Sequence, residues 1–388
     1  MATTSTQREA PTSQAEAAEI MRRAGEAGSR MRAVGGATKI AWGAPTPRPE
    51  IEIATSGLRR VVEYNEGDLT VIVEPGMPLA QAQAEFERNG QMLALDPPLG
   101  EDKAATIGGV IATGDSGPLR HRYNAARDLI IGIRVALSDG SVANAGGKVI
   151  KNVAGYDLAK LFTGSFGTLG LIVEVSLRLH PRPEHTATLV GATNDPPKLA
   201  RAAVEIAHAR IELTSLDVGW EGGEGRLLAR FGGAAAGELA TEVRERIEQT
   251  GLDVSLEEDD AGVWGDQRLG QRSENGTVVK VSALQGDLPR VLAAASRQRA
   301  ALVGRVTAGL WWLKLEGRSA SDAAAAVEEI RRELAPLSGV VLDAPLELRE
   351  AVDPWGVEAD GRLELMRRVK QRFDPPGICN RGVFVGGI

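Results

Sequence analysis

Residues 161–179 read Leu161-Phe162-Thr163-Gly164-Ser165-Phe166-Gly167-Thr168-Leu169-Gly170-Leu171-Ile172-Val173-Glu174-Val175-Ser176-Leu177-Arg178-Leu179. Glycines recur at 164, 167 and 170, and an alternation follows in which Leu171, Val173, Val175, Leu177 and Leu179 share one face of a strand. The order of these two features decides the fold. A dinucleotide fingerprint is spaced G-x-G-x-x-G and opens a helix, whose N-terminus receives the phosphates. Here the spacing is G-x-x-G-x-x-G and the exit is a strand, so the Rossmann reading fails. A phosphate-binding P-loop fails as well: Gly147-Lys148 is followed by Val149, and Val142 stands where its first glycine belongs.

Three more segments concentrate Gly, Ser, Thr and Asn beside expected strands: Val34 to Lys39, Thr106 to Gly117, and Asn152 to Asp157. Glycine lets backbone amides approach an anion closely, and consecutive amides with Ser or Thr hydroxyls can nest phosphate oxygens. Tight turns between strands explain any one of these segments equally well. Their succession along the chain carries more information than any one of them.

Around them the sequence divides. Residues 1–12 read as a polar, disordered tail. A helix should begin at Ser13, which forms a capping-box pattern with Glu16 ahead of Ala17, Ile20 and Met21 on one face. Strands are expected at 30–34, 51–53, 58–64 and 70–74, a helix at 77–89, and a hairpin through Ser138-Asp139-Gly140. Pro181 and Pro183 end this region, giving a first domain over 13–183. Residues 184–350 form a second domain. Within it the order strand, helix, strand, strand, helix occurs twice, which suggests an antiparallel sheet backed by helices in the ferredoxin-like manner. Residues 351–388 contain a last helix, Gly361 to Phe373, stopped by Asp374-Pro375-Pro376-Gly377. The fold class is α+β.

The 388 residues carry a net charge of -7, with 43% hydrophobic and 25% charged residues. That suits a soluble globular protein and disfavours nucleic acid and anionic membrane surfaces as partners. The single cysteine, Cys379, excludes an internal disulfide, an iron–sulfur cluster and a Cys-based zinc site. The N-terminus lacks the apolar core of a signal peptide, and Leu129 to Leu137 is too short to span a bilayer. The expected location is cytoplasmic, with any approach to the inner membrane face made through partner subunits rather than by direct insertion.

The order and spacing of five stretches carry a family resemblance: 33–39 (AVGGATK), 73–77 (VEPGM), 106–109 (TIGG), 122–128 (RYNAARD) and 161–170 (LFTGSFGTLG). In this the chain resembles the FAD-binding domain shared by vanillyl-alcohol oxidase, p-cresol methylhydroxylase and D-lactate dehydrogenases. Two further stretches, 146–157 (GGKVIKNVAGYD) and 373–382 (FDPPGICNRG), resemble the FAD-binding subunit of glycolate oxidases. The resemblance implies a vanillyl-alcohol oxidase-type FAD-binding domain with a ferredoxin-like α+β cap. It also implies FAD wrapped by Val34, Gly35, Gly36, Ala37, Thr38, Lys39, Thr106, Gly108, Gly109, Thr113, Ser116 and Gly117. Pro97, Pro98 and Gly100 would line the flavin, Gly164, Gly167, Gly170 and Ile172 would meet the adenine or isoalloxazine, and Asn380 would lie near the ring. Val34, Asn124 and Arg381 depart from the family's usual Arg, Gly and Pro.

Some relatives link FAD through a His in the first glycine loop, where this chain has Thr38, or through a Cys in the second, where it has none; FAD should be non-covalent. The His-rich motif with which related 2-hydroxy-acid dehydrogenases bind substrate and metal has no counterpart after His208, so no metal is expected and no catalytic residue is assigned. His121 either faces the flavin or substrate or is simply packed. Arg120, Arg122 and Arg127 are either a carboxylate or phosphate clamp or a salt-bridged loop. Three functions follow. The first is the FAD-binding subunit of a glycolate oxidase-like complex, acting on a small 2-hydroxy acid (glycolate, or D-lactate) beside a larger FAD-containing catalytic subunit and an iron–sulfur subunit. The second is a self-sufficient FAD oxidase or dehydrogenase. The third is an assembly subunit with a vestigial flavin site.

Overall fold

The computed structural model describes residues 5–148, 158–357 and 360–388. They form two compact units. One comprises the chain up to Ser116, Ala125–Arg182 and Val357–Ile388; the other comprises Gly117–Asn124 and Pro183–Gly356. Gly117–Asn124 therefore leaves the first unit in mid-sequence, which no break in composition announces.

In the first unit, β1 (Gln7–Glu9), β2 (Met31–Val34) and β3 (Ile51–Ala54) form a parallel sheet ordered β1-β3-β2. Then come β4 (Val61–Asn65), β5 (Thr70–Val73), β6 (Gln91–Met92), β7 (Ile130–Ala136), β8 (Val142–Gly146), β9 (Leu171–Arg178) and β10 (His180–Pro181). Five of these make an antiparallel sheet ordered β4-β5-β9-β7-β8, and β6 pairs with β10. β9 is central in this sheet, with Leu171, Val173, Val175 and Leu177 on one face and Ile172, Glu174 and Ser176 on the other. The helix Gln14–Ala27 starts where its capping pattern predicts: Ser13 Oγ accepts from the Glu16 amide at 3.2 Å. Its face of Ala17, Ile20, Met21 and Ala24 packs with Ile53, Leu58, Leu171, Val173 and Ile378.

The tail expected to be disordered is ordered from Gln7. The Gln7 amide donates to the Glu50 carbonyl at 2.8 Å, Thr6 Oγ1 donates to the Pro49 carbonyl at 2.8 Å, and Arg23 reaches Glu9 at 3.2 Å. An edge strand needs only backbone pairing, which polar composition does not reveal. At the other terminus, residues after the helix Gly361–Phe373 run alongside β2. The Met31 amide donates to the Ile378 carbonyl and the Asn380 amide to the Met31 carbonyl, both at 2.9 Å.

The second unit is built on one antiparallel sheet of eight strands: β11 (Thr186–Thr193), β12 (Ser215–Glu221), β13 (Glu224–Gly232), β14 (Asp253–Glu257), β15 (Thr277–Ser282), β16 (Ala301–Arg305), β17 (Leu310–Leu315) and β18 (Ser338–Val341). Its order is β14-β11-β13-β12-β16-β17-β15-β18, so two copies of one four-strand arrangement meet edge to edge at β12 and β16. Helices Pro196–His208, Ala236–Glu248, Leu288–Arg297 and Ala320–Leu334 bury one face of this sheet through Leu216, Val218, Leu302, Val306, Trp311 and Leu313. The opposite face carries polar and charged side chains and is crossed by the helix Ala261–Leu269, where Trp264 Nε1 donates to Thr188 Oγ1 at 2.8 Å and Gln267 Nε2 to Asp217 Oδ2 at 3.0 Å.

Candidate functional site

Three of the four glycine-rich segments converge in the first unit; the fourth, Asn152 to Asp157, lies outside the described residues. Beyond Val34 the chain leaves β2 through Gly35-Gly36-Ala37-Thr38-Lys39. A Cβ on Gly36 would come within 1.7 Å of the Ala104 carbonyl oxygen, and one on Gly35 within 2.2 Å of Thr106 Oγ1, so this loop lies backbone-close against 104–106. Residues 106–114, read as a loop from their glycines, instead form the helix Ile107–Thr113 with Thr106 as N-cap, its Oγ1 accepting from the Gly109 amide at 3.3 Å. Thr113 Oγ1 donates back to the Gly109 carbonyl at 2.8 Å, and Gly114 closes the helix with φ 64°.

The third segment docks on that helix: the Gly164 amide donates to Ile111 at 2.9 Å and the Phe166 amide to Ala112 at 2.8 Å. Gly164 and Gly167 adopt φ of 75° and 70°, with no atom within 4 Å of where a Cβ would stand. Their backbone thus borders open space at the place where the three segments meet. Gly170 and Ile172 differ. Ile172 is a β9 residue paired with Val135, and a Cβ on Gly170 would meet Val135 Cγ1 at 2.7 Å, so both are held within the sheet. Gly117 belongs to the segment that packs with the second unit.

Lys39 ties the Pro97–Gly100 stretch into this arrangement. Its Nζ lies 3.2 Å from the Pro98 carbonyl and 3.3 Å from Asp115 Oδ2, and both side chains are about 5% exposed. Asp115 Oδ1 in turn accepts from the Ser116 amide at 2.9 Å. A Cβ on Gly100 would meet Thr38 Cγ2 at 2.5 Å, so those two also lie against each other.

The C-terminal segment closes the other side. Asn380, with φ 38°, donates from Nδ2 to the Phe166 carbonyl at 2.7 Å, and Phe384 stacks at a tilt on Phe166 with centroids 5.7 Å apart. Lys370 holds this segment in place by donating to the carbonyls of Thr168 (2.7 Å) and Cys379 (2.8 Å) and to Asp374 Oδ2 (2.5 Å). Neither Lys370 nor Asp374 is singled out by sequence; their spacing of four on a helix end is the signal that could have found them. Cys379 is fully buried, and burial followed by Asp374 pushes its thiol pKa up, so it packs rather than reacts.

The arginine triplet is divided. Arg120 and Arg122 lie in the second unit and Arg127 in the first, and Arg122 pairs with Glu212 at 3.5 Å, in keeping with a salt-bridged loop. His121 is in the second unit, where its Nδ1 lies 2.8 Å from Thr307 Oγ1. Among the described residues no group of three or more His, Cys, Asp or Glu could hold a metal ion, and no helix is long and apolar enough to cross a membrane.

The first-unit residues suit a long dinucleotide. Backbone at Gly164 and Gly167 borders open space, short hydroxyls line the 106–116 segment, and a buried ammonium fixes the loops about it. Known proteins agree. Residues 8–146 match the FAD binding domain family, and residues 354–383 match the C-terminal domain of FAD-linked oxidases. The chain thus carries FAD-linked oxidase domains over these two stretches, and FAD is its cofactor.

Among its relatives is the glycolate oxidase subunit GlcE of Escherichia coli, 36% identical over 48% of this chain and 56% of that protein. The mitochondrial cytochrome D-lactate dehydrogenase of Arabidopsis thaliana is 37% identical over 51% of this chain and 34% of that one. An FAD-linked oxidoreductase of Mycobacterium tuberculosis is 25% identical over 97% of this chain and 90% of its own length. The chain thus spans about half of the first of these relatives and a third of the second. Alkyldihydroxyacetonephosphate synthase shares the fold, with TM-score 0.73 and 16% identity over 96% of this chain and 76% of that one.

Proposed function

We propose that this chain is the FAD-binding subunit of a glycolate oxidase-like complex that oxidises a small 2-hydroxy acid, glycolate or D-lactate, to the 2-oxo acid. The convergence of Gly35-Gly36, the 106–116 segment, Gly164 to Gly167 and Asn380 within one unit supports this reading most directly. When bound, FAD would supply a two-electron acceptor for the hydrogen on C2 of the acid. In this reading FAD is non-covalent. Val34 to Lys39, Thr106, Gly108, Gly109, Thr113 and Ser116 wrap its diphosphate and ribose. Pro97, Pro98, Gly100 and Asn380 border the flavin, and Gly164 and Gly167 contact the adenine or the ring. Electrons pass on to a larger FAD subunit and an iron–sulfur subunit, and the assembly works on the cytoplasmic side, at the inner membrane face if its partners go there.

Anaerobic stopped-flow mixing of the flavin-loaded chain with glycolate and with D-lactate tests the proposal, first alone and then with the partner subunits. The expected result is negligible bleaching alone and rapid bleaching in the complex. Fast bleaching of the isolated chain would make it a complete dehydrogenase. A colourless chain that ignores added FAD would make the site vestigial.

A further inference from the structure

The polar face of the second unit holds an arrangement that packing does not explain. Asp217 on β12 and Arg305 on β16 are register partners, with side chains 0% and 1% exposed. Arg305 spends one nitrogen on this pair, Nη1 donating to Asp217 Oδ2 at 2.8 Å, and its guanidinium carbon lies 4.8 Å from the Trp312 ring centroid. Its other edge, Nε with Nη2, is buried and has no hydrogen-bond partner. That edge is the fork on which guanidinium takes a carboxylate through two parallel bonds. A buried donor left unpaired is costly and calls for a reason.

Strand alternation places two further groups on the same face. Ser215, two residues before Asp217 on β12, is fully buried with an unpartnered hydroxyl. Thr307 follows Arg305 by two residues and meets His121 Nδ1 at 2.8 Å. Lys280 Nζ also lies 5.8 Å from the centroid of the Trp312 ring.

The geometry points to a binding site for a small 2-hydroxy or 2-oxo monocarboxylate on this face. The Nε–Nη2 edge of Arg305 takes the carboxylate, and Ser215 with the Thr307–His121 pair reads the substituent on C2. The inference deepens the function proposed above and rests on it for the identity of the acid. The Arg305 edge is closed to water, so the acid reaches it through a local opening of the side chains packed around it.

The test uses the flavin-loaded chain and 2-hydroxyisobutyrate, which keeps the carboxylate and hydroxyl but has no C2 hydrogen to lose, so binding is read by calorimetry without turnover. The wild type should bind it saturably, and 2-hydroxyisobutyramide roughly 100-fold more weakly. Arg305→Lys keeps a cation for Asp217 but has no fork, and should weaken acid binding roughly 30-fold or more. Because a lone substitution in a buried pair can unfold the unit, the double variant Arg305→Met/Asp217→Leu removes both charges together and should lose acid binding with its circular dichroism kept. Ser215→Ala should retain the carboxylate affinity but lose the preference over isobutyrate. Absence of saturable binding by the wild type, or unchanged affinity in Arg305→Lys, would overturn the site. Binding through Arg305 without flavin reduction by any 2-hydroxy acid, alone or in the complex, would instead overturn the proposed oxidation and leave the site standing.

Discussion

Lys39 Nζ lies 3.3 Å from Asp115 Oδ2, and the two side chains are each about 5% exposed. The pair joins the loop after β2 to the segment after the helix Ile107–Thr113, and the bond from Lys39 to the Pro98 carbonyl adds a third piece of chain. Removing one partner of a buried pair leaves the other charge unpaired, at a cost of about 3–5 kcal/mol. Lys39→Met should therefore lower the unfolding temperature of the first unit and release FAD, whereas Lys39→Arg should keep most of both. Calorimetry and the absorbance of bound flavin would measure this. A Lys39→Met protein as stable and as yellow as wild type would show that the three segments do not depend on the pair.

Gly108 and Gly167 look alike in sequence, but their surroundings separate them. A Cβ on Gly108 would stand 2.5 Å from Pro75 Cβ and 2.9 Å from its carbonyl oxygen, whereas one on Gly167 meets nothing within 4 Å. Gly108→Ala should destabilise the unit itself. Gly167→Ala should cost only the left-handed backbone term, about 1–2 kcal/mol, while its methyl intrudes where the cofactor is proposed to lie. Thermal melts of the FAD-free proteins paired with FAD titrations would separate the two outcomes. Equal melting temperatures, or undiminished FAD affinity in Gly167→Ala, would count against this division.

Much of the fold is legible in the sequence because its signals are local. The capping box at Ser13 and Glu16, the alternation of Leu171 to Leu179 and the repeated strand–helix order after Pro183 each reflect one element's own periodicity. What escapes depends on partners distant in sequence. Gln7–Glu9 is a strand only because β3 lies beside it. The helix Ile107–Thr113 contains Gly108, Gly109 and β-branched residues, all poor helix formers, and tertiary packing overrides them. The joining of the two halves of the second sheet at β12 and β16 leaves no trace in either half. In the candidate site the glycine segments are readable, but Lys370 and Asp115 acquire meaning only once Cys379, Thr168 and Lys39 are beside them.

FAD should leave the protein on acid precipitation. Thr38 stands where some relatives attach the flavin through a His, and the sole cysteine, Cys379, is buried with its thiol pKa raised. Neither offers a nucleophile to the flavin. Denaturing the yellow protein in trichloroacetic acid and assaying both fractions checks this: flavin is expected in the supernatant, and flavin retained in the pellet would establish a covalent link.

His121 gives the second unit a pH dependence of predictable sign. Burial, followed by the neighbouring Arg122, lowers its pKa from 6.5 to about 4. Between those values the unfolded chain binds a proton that the folded chain refuses, so stability rises with pH across this window. The contribution is fully present above pH 6.5 and is lost as pH falls toward 4, with a ceiling of about 3 kcal/mol that partial exposure reduces. Urea unfolding followed by tryptophan fluorescence reports mainly on this unit, because Trp42 alone of the 6 tryptophans lies in the first. Wild type should lose stability between pH 7 and pH 4.5 more steeply than His121→Gln, which keeps a hydrogen-bonding side chain for Thr307 but cannot take up the proton. Parallel pH profiles in the two proteins would show that His121 is protonated as readily in the folded chain as in the unfolded one.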